Sequence, residues 1–170
     1  MLKFARRFAV ALVAAQIGFA GFGAAAVLGV TSAKAEVALG SHGAWRGVTM
    51  KVEGRLLYGV ETFLQNGAVA AFIVDGDTIS LLLSDDGWKL TQGQAADIVI
   101  DVDGHKYQGH GAAPQANMIV APNVTLEFVK AFVEGDTAVL DIGGGVTWTL
   151  NLDGFTASFK EALHAVGGAI

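Results

Sequence analysis

The stretch Val146-Thr147-Trp148-Thr149-Leu150-Asn151-Leu152-Asp153-Gly154-Phe155-Thr156-Ala157-Ser158-Phe159 decides the fold. In its first half Val146, Trp148, Leu150 and Leu152 are apolar, and Thr147, Thr149 and Asn151 between them are polar. Successive side chains of a strand point to opposite faces, so this period of two makes a strand with one buried and one wetted face. After Asp153-Gly154 the period changes. Phe155, Phe159, Leu163 and Val166 fall on one helical stripe, with Lys160, Glu161 and His164 off it. Ser158 and Glu161 have the spacing of a capping box. A helix this short does not hold alone in water and must dock its stripe on a sheet. Trp148, Phe155 and Phe159 are therefore expected to be buried together.

The same pattern extends outward. Residues 138–142 form the partner of the 146–152 strand, joined to it through Gly143-Gly144-Gly145. Ile98, Ile100 and Val102 alternate with Asp97 and Asp101, and Asp103-Gly104 then suits a two-residue hairpin turn, with residues 106–108 returning. A further hairpin spans residues 69–83, with Asp75-Gly76-Asp77 at its tip, and another pairs residues 45–52 with 56–63 around Glu53-Gly54. Residues 123–134 break the period. Val124, Phe128 and Phe132 lie at helical spacing, Asn123 is placed as an N-cap and Gly135 as a stop. The fold class is mostly β, an antiparallel sandwich-like or barrel-like sheet of short hairpins, with two short α-helices near 124–134 and 155–166.

The first 35 residues read as a cleavable secretory signal peptide. Lys3, Arg6 and Arg7 precede an uncharged run from 8 to 30, and Ala33-Lys34-Ala35 fits the small-x-small cleavage rule, placing the cut between Ala35 and Glu36. The run is long enough for a retained membrane anchor, which needs about 20 apolar residues; its glycines, alanines and cleavage site favour the signal. Residues 36–170 are then a single β-rich domain, periplasmic or secreted by a bacterium, with no stable membrane insertion after cleavage. The signal inflates the mean hydropathy of +0.49. After Ala35 there are seven bases against 16 acids, a net charge of −9. Nucleic acid and anionic lipid both require a basic surface, so neither is an expected partner. The chain has no cysteine, which removes disulfides, thiol catalysis and thiolate-bound metal.

Residues that could carry chemistry are few. His105 and His110 are five apart and point to opposite faces of a continuous strand; His42 and His164 stand alone. Asp75/Asp77, Asp85/Asp86 and Asp101/Asp103 each sit beside a glycine, as turn residues do, and no complete calcium loop is present. No nucleophile elbow, S-x-x-K, H-E-x-x-H or P-loop occurs. The reading assigns no catalytic residue, no metal and no cofactor. Trp45 and Trp148 are expected in the core; Trp88, after Ser84-Asp85-Asp86-Gly87, is the one tryptophan retained as a candidate contact residue.

The second half resembles the invasion-associated locus B family of exported bacterial proteins. The residues that carry this are Ile79-Ser80-Leu81, Trp88-Lys89-Leu90, the hairpin Ile98-Val99-Ile100-Asp101-Val102-Asp103-Gly104, a short helix ending near Gly135, and above all Trp148 to Phe159. Trp45 matches an early tryptophan of that family. The resemblance implies a periplasmic or envelope-associated β-rich domain and no particular catalytic residue. Family members typically carry cysteines that can pair, and Ala112, Ala113 and Ala116 stand in the region where those often lie.

Three functions compete at this level. The first is a non-enzymatic envelope protein that binds another protein or envelope component. The second is a carrier of a small apolar ligand, for which Phe128, Phe132, Phe155 and Phe159 must line a cavity. The third is a hydrolase with dispersed catalytic groups.

Overall fold

A computed structural model describes residues 39–52 and 54–167. The signal peptide, the Ala35–Glu36 cleavage site and the last residues of the tail lie outside them. Ten strands and two helices follow one another: β1 (Ser41–His42), β2 (Trp45–Val52), β3 (Arg55–Phe63), β4 (Val69–Asp75), β5 (Thr78–Ser84), β6 (Ala95–Val102), β7 (His105–Gln115), β8 (Met118–Ala121), α1 (Leu126–Glu134), β9 (Thr137–Asp141), β10 (Thr147–Asn151) and α2 (Phe155–Ala165). All pairings are antiparallel, in one sheet ordered β1-β2-β3-β4-β5-β8-β7-β6-β9-β10. A single curled sheet thus replaces the two sheets of a sandwich. Its opposite margins meet at one corner, where Ala44 N donates to Asp153 O and Trp45 Nε1 donates to Asn151 O, and the remainder stays open.

The expected hairpins form. Asp103 (φ 47°) and Gly104 (φ 90°) make a tight turn between β6 and β7, as the Asp-Gly pair predicts. β7 runs on to Gln115, well past the short return read at 106–108, and pairs with β8 across a register shift between Ala112 and Gln115. The extension escaped the sequence reading because its inward positions are Gly109, Gly111 and Ala113, which give no apolar contrast. A Cβ on Gly111 would press on Ile119 and the Val120 carbonyl, so the strand is small there by necessity.

Both helices dock on the inner face, but their caps differ from expectation. Helix α1 begins at Leu126, with Thr125 as N-cap accepting from Phe128 N at 3.2 Å. Asn123 instead takes a left-handed φ of 56°, two residues before the cap. Gly135 ends the helix without positive φ (−88°); it is required because a Cβ there would crowd Val102 and the Ala131 carbonyl. Helix α2 has no side-chain cap. Gly154, at φ 86°, is its N-cap residue, and Ser158 and Glu161 form no capping box. Ser158 is buried, with its hydroxyl donating to Trp45 O at 3.2 Å, and Glu161 reaches across to β1.

One core results. Phe72 on β4 is surrounded by Trp45, Phe128, Phe132, Phe155 and Phe159, with ring centroids 4.9 to 6.4 Å away. Trp148, Phe155 and Phe159 are all buried in this core, as expected. Trp148 stacks on Trp88, however, whereas Phe155 and Phe159 pack on Trp45, Phe72, Phe132 and each other.

Candidate functional site

The candidate contact residue Trp88 stacks on a core tryptophan. Its ring lies parallel to that of Trp148, with centroids 5.3 Å apart and planes within 4°, and it is half-buried against the core. The loop carrying it is tied to the β7–β8 turn through Asp85 N to Asn117 O and Leu90 N to Ala116 O. Trp88 therefore closes one end of the sheet over Trp148.

The acidic pairs mostly serve turns. Asp101 Oδ1 accepts from Gly104 N, Asp85 Oδ1 from Gly87 N, and Asp75 pairs with Arg55. Asp103 does more: its two carboxylate oxygens accept from Asp136 N and Thr137 N, at 2.8 and 3.1 Å. His105 and His110 are exposed at separate positions of β7, opposite Val102 and Asp97, and His110 Nδ1 contacts Asp97 Oδ1. Among the described residues, no three His, Asp or Glu side chains converge as metal ligands. His42 lies against α2, where Glu161 accepts from Gly40 N (2.6 Å) and contacts His42 Nε2 (2.8 Å). The His42 hydrogen bond, then that from Gly40, holds the Glu161 carboxyl below its ordinary pKa.

The four phenylalanines required by the carrier reading fill space instead of enclosing it. Phe128 and Phe132 meet edge to face at 4.9 Å, Phe155 and Phe159 stack at 5.2 Å, and Phe132 touches Phe155 at 5.4 Å. All four are buried.

Among the described residues there is a shallow open groove that the sequence did not reveal. Its walls come from the end of α1 (Val133, Glu134), the Gly135-Asp136 link, Thr137 of β9, residues 149–151 of β10 and the Leu152-Asp153-Gly154 turn into α2. The α1–β9 and β10–α2 junctions are joined by Leu152 N, which donates to Asp136 O, and by the Thr156 hydroxyl, which donates to Val133 O at 2.8 Å; Asp103 fastens the first of them to the β6–β7 turn. Gly154 is indispensable, since a Cβ there would overlap the His42 carbonyl. The groove presents the carboxylates of Glu134, Asp136 and Asp153 with no base in its lining. Its segments lie well apart in sequence, and the Gly135 helix stop and the change of period at Asp153-Gly154 were the only local trace of it.

A curled antiparallel sheet wrapped on two short helices, closed by one aromatic core and carrying an acidic groove, defines an all-antiparallel, β-rich domain at the level of fold. The chain shares this fold with the crystal structure of invasion associated protein B from Bartonella henselae (TM-score 0.54, 14% identity), over 76% of this chain and 98% of that one. No protein-family model and no curated protein matches it. The family resemblance seen in the second half is thus matched at the level of fold. Among the described residues, no helix is long and apolar enough to cross a membrane.

Proposed function

We propose that the chain is an exported, envelope-associated protein that binds another protein or envelope component and performs no catalysis. The observation that carries this reading is the likeness to the Bartonella invasion associated protein across nearly the whole of that chain. The signal pattern over residues 1–35 supports export, and the acidic groove offers a surface on which a partner can sit. The test joins location to binding. Cell fractionation with N-terminal sequencing is expected to find a periplasmic form beginning at Glu36. That form, immobilised, is expected to retain a saturable, stoichiometric envelope partner. An unprocessed cytoplasmic product, or a mature form that retains nothing saturably, would overturn the proposal.

A further inference from the structure

Among the described residues, no strand pairs with the outer edge of β10. In an antiparallel ladder, alternate residues of a strand direct N–H and C=O to the same side. Leu152 N donates to Asp136 O and Ile142 N donates to Val146 O, so Trp148 and Leu150 face β9 while Thr147, Thr149 and Asn151 face away. Trp45 Nε1 takes the outward Asn151 carbonyl, which confirms this phase. Nothing among the described residues bonds to the outward amides and carbonyls of Thr147 and Thr149, and both residues are exposed. Sheet edges are usually blunted by lysine, proline or a bulge. The other margin follows that rule, since β1 covers the start of β2 and Lys51 stands on the uncovered remainder. Strand β10, Thr-Trp-Thr-Leu-Asn, has no such device.

We infer that β10 accepts an extended, lysine-rich peptide segment as an added strand, with main-chain bonds to Thr147 and Thr149 supplying the attachment. This rests on the binding-protein reading above and names the partner's chemistry. Charge selects that partner. Thr149 and Asn151 of this strand also line the groove that holds Glu134, Asp136 and Asp153, and Asp141 stands opposite Thr147 on β9, so Asp136 and Asp141 lie one strand inward of the edge, within reach of lysine side chains laid across β10. Glu134 shares its charge with Lys130, which leaves Asp136 and Asp153 as the unshared carboxylates. A second copy of this chain would bring the same carboxylates to the same edge, so like charges oppose self-pairing. A basic segment alternating with small apolar residues meets both the edge and the groove.

The probe is a capped heptapeptide alternating lysine and valine, compared with its glutamate–valine counterpart, titrated into the mature domain and followed by amide NMR. The lysine peptide is expected to bind and to slow exchange at the Thr147 and Thr149 amides, and the glutamate peptide is expected not to bind. Thr149→Pro removes an outward N–H without touching the β9 ladder, so binding should weaken about tenfold while the thermal melt is kept. If that variant fails to fold, Asp136→Asn with Asp153→Asn decides: lysine-peptide affinity should drop several-fold in low salt and converge with wild type in high salt. Unchanged exchange at Thr147 and Thr149 under saturating lysine peptide, or equal binding of both peptides, overturns the inference. An envelope partner captured equally by wild type and Thr149→Pro removes this edge but leaves the binding function standing. Lysine peptide lodged on β10 in a protein that retains no envelope partner does the reverse.

Discussion

The carboxylate of Glu161 illustrates how a side chain's spacing and its actual use can part company. Three residues after Ser158, it has the pattern of a helix cap, yet it lies mid-helix and fixes the segment around β1 by accepting from Gly40 N and His42. It is 41% exposed, so the contribution is modest, but its pH dependence has a definite sign. A carboxyl held below its ordinary pKa stabilises the fold above the unfolded value of about 4.3 and loses that effect as pH falls through the folded value. Wild type should therefore melt above Glu161→Gln at neutral pH, and the gap should close on acidification; melting curves from pH 7 to 3 check this. Asp103 is the second residue with more than a turn role. It holds a left-handed φ of 47° and receives two backbone N–H groups from the α1–β9 link. Asp103→Ala loses both bonds and keeps the unfavourable backbone, so a destabilisation of about 1–2 kcal/mol is expected in denaturant titrations, and Asp103→Asn should recover part of it.

At the scale of elements, the legible parts are those where burial alternates with contrast. β6 and β10 place large apolar residues inward and polar ones outward, so period two appears in the letters and the structure repeats it. The second half of β7 was illegible because its inward side is glycine and alanine, chosen to admit Ile119 of the neighbouring strand. Helix α1 was found from Phe128 and Phe132, but its start was misplaced, since Asn123 and Thr125 are both capping residues and sequence alone does not rank them. That correction is testable: Thr125→Ala should cost about 1 kcal/mol, whereas Asn123→Gly, which suits φ 56° at least as well, should be neutral or slightly stabilising. Glycines divide in the same way. Gly144 and Gly154 both have positive φ, and the letters do not distinguish them. Around Gly144 a Cβ meets nothing, so Gly144→Ala should cost only the backbone term of about 1–2 kcal/mol. Gly154→Ala drives a methyl into the His42 carbonyl at the corner where the sheet margins meet, and a loss above about 3 kcal/mol, or failure to fold, is expected. The groove stayed hidden for a related reason: residues 133–137 and 149–156 become neighbours only once α1 and α2 have docked.

Across the whole molecule, stability is concentrated in one place. The chain has no cysteine, so no disulfide props up the fold, and its ion pairs involve side chains that are mostly well exposed and worth little each. What remains is the inner face of the sheet closed over α1 and α2, with Phe72 at the centre of the aromatic group. Burial of a phenylalanine at such a site makes Phe159→Ala cost about 3–5 kcal/mol; a loss below about 1 kcal/mol in denaturant melts would mean that α2 is not docked there. The core is nevertheless built of two aromatic groups. Trp88 and Trp148 stack on each other at one end, while Phe72, Phe155 and their neighbours pack at the other. Side chains in contact lose stability non-additively when both are cut, and separated ones add. A double-mutant cycle on Phe72→Leu and Phe155→Leu, whose rings meet edge to face at 5.1 Å, should therefore return a coupling of about 0.5–1.5 kcal/mol. The cycle pairing Trp88→Ala with Phe155→Leu should add within about 0.5 kcal/mol. Strong coupling in the second cycle would show that the Trp88 loop is part of the central aromatic packing; weak coupling in the first would mean that the Phe72–Phe155 contact is not made in solution. The expected pattern leaves Trp88 as a closure over one end of the sheet, whose truncation lowers stability without disturbing the Phe72 group that anchors both helices.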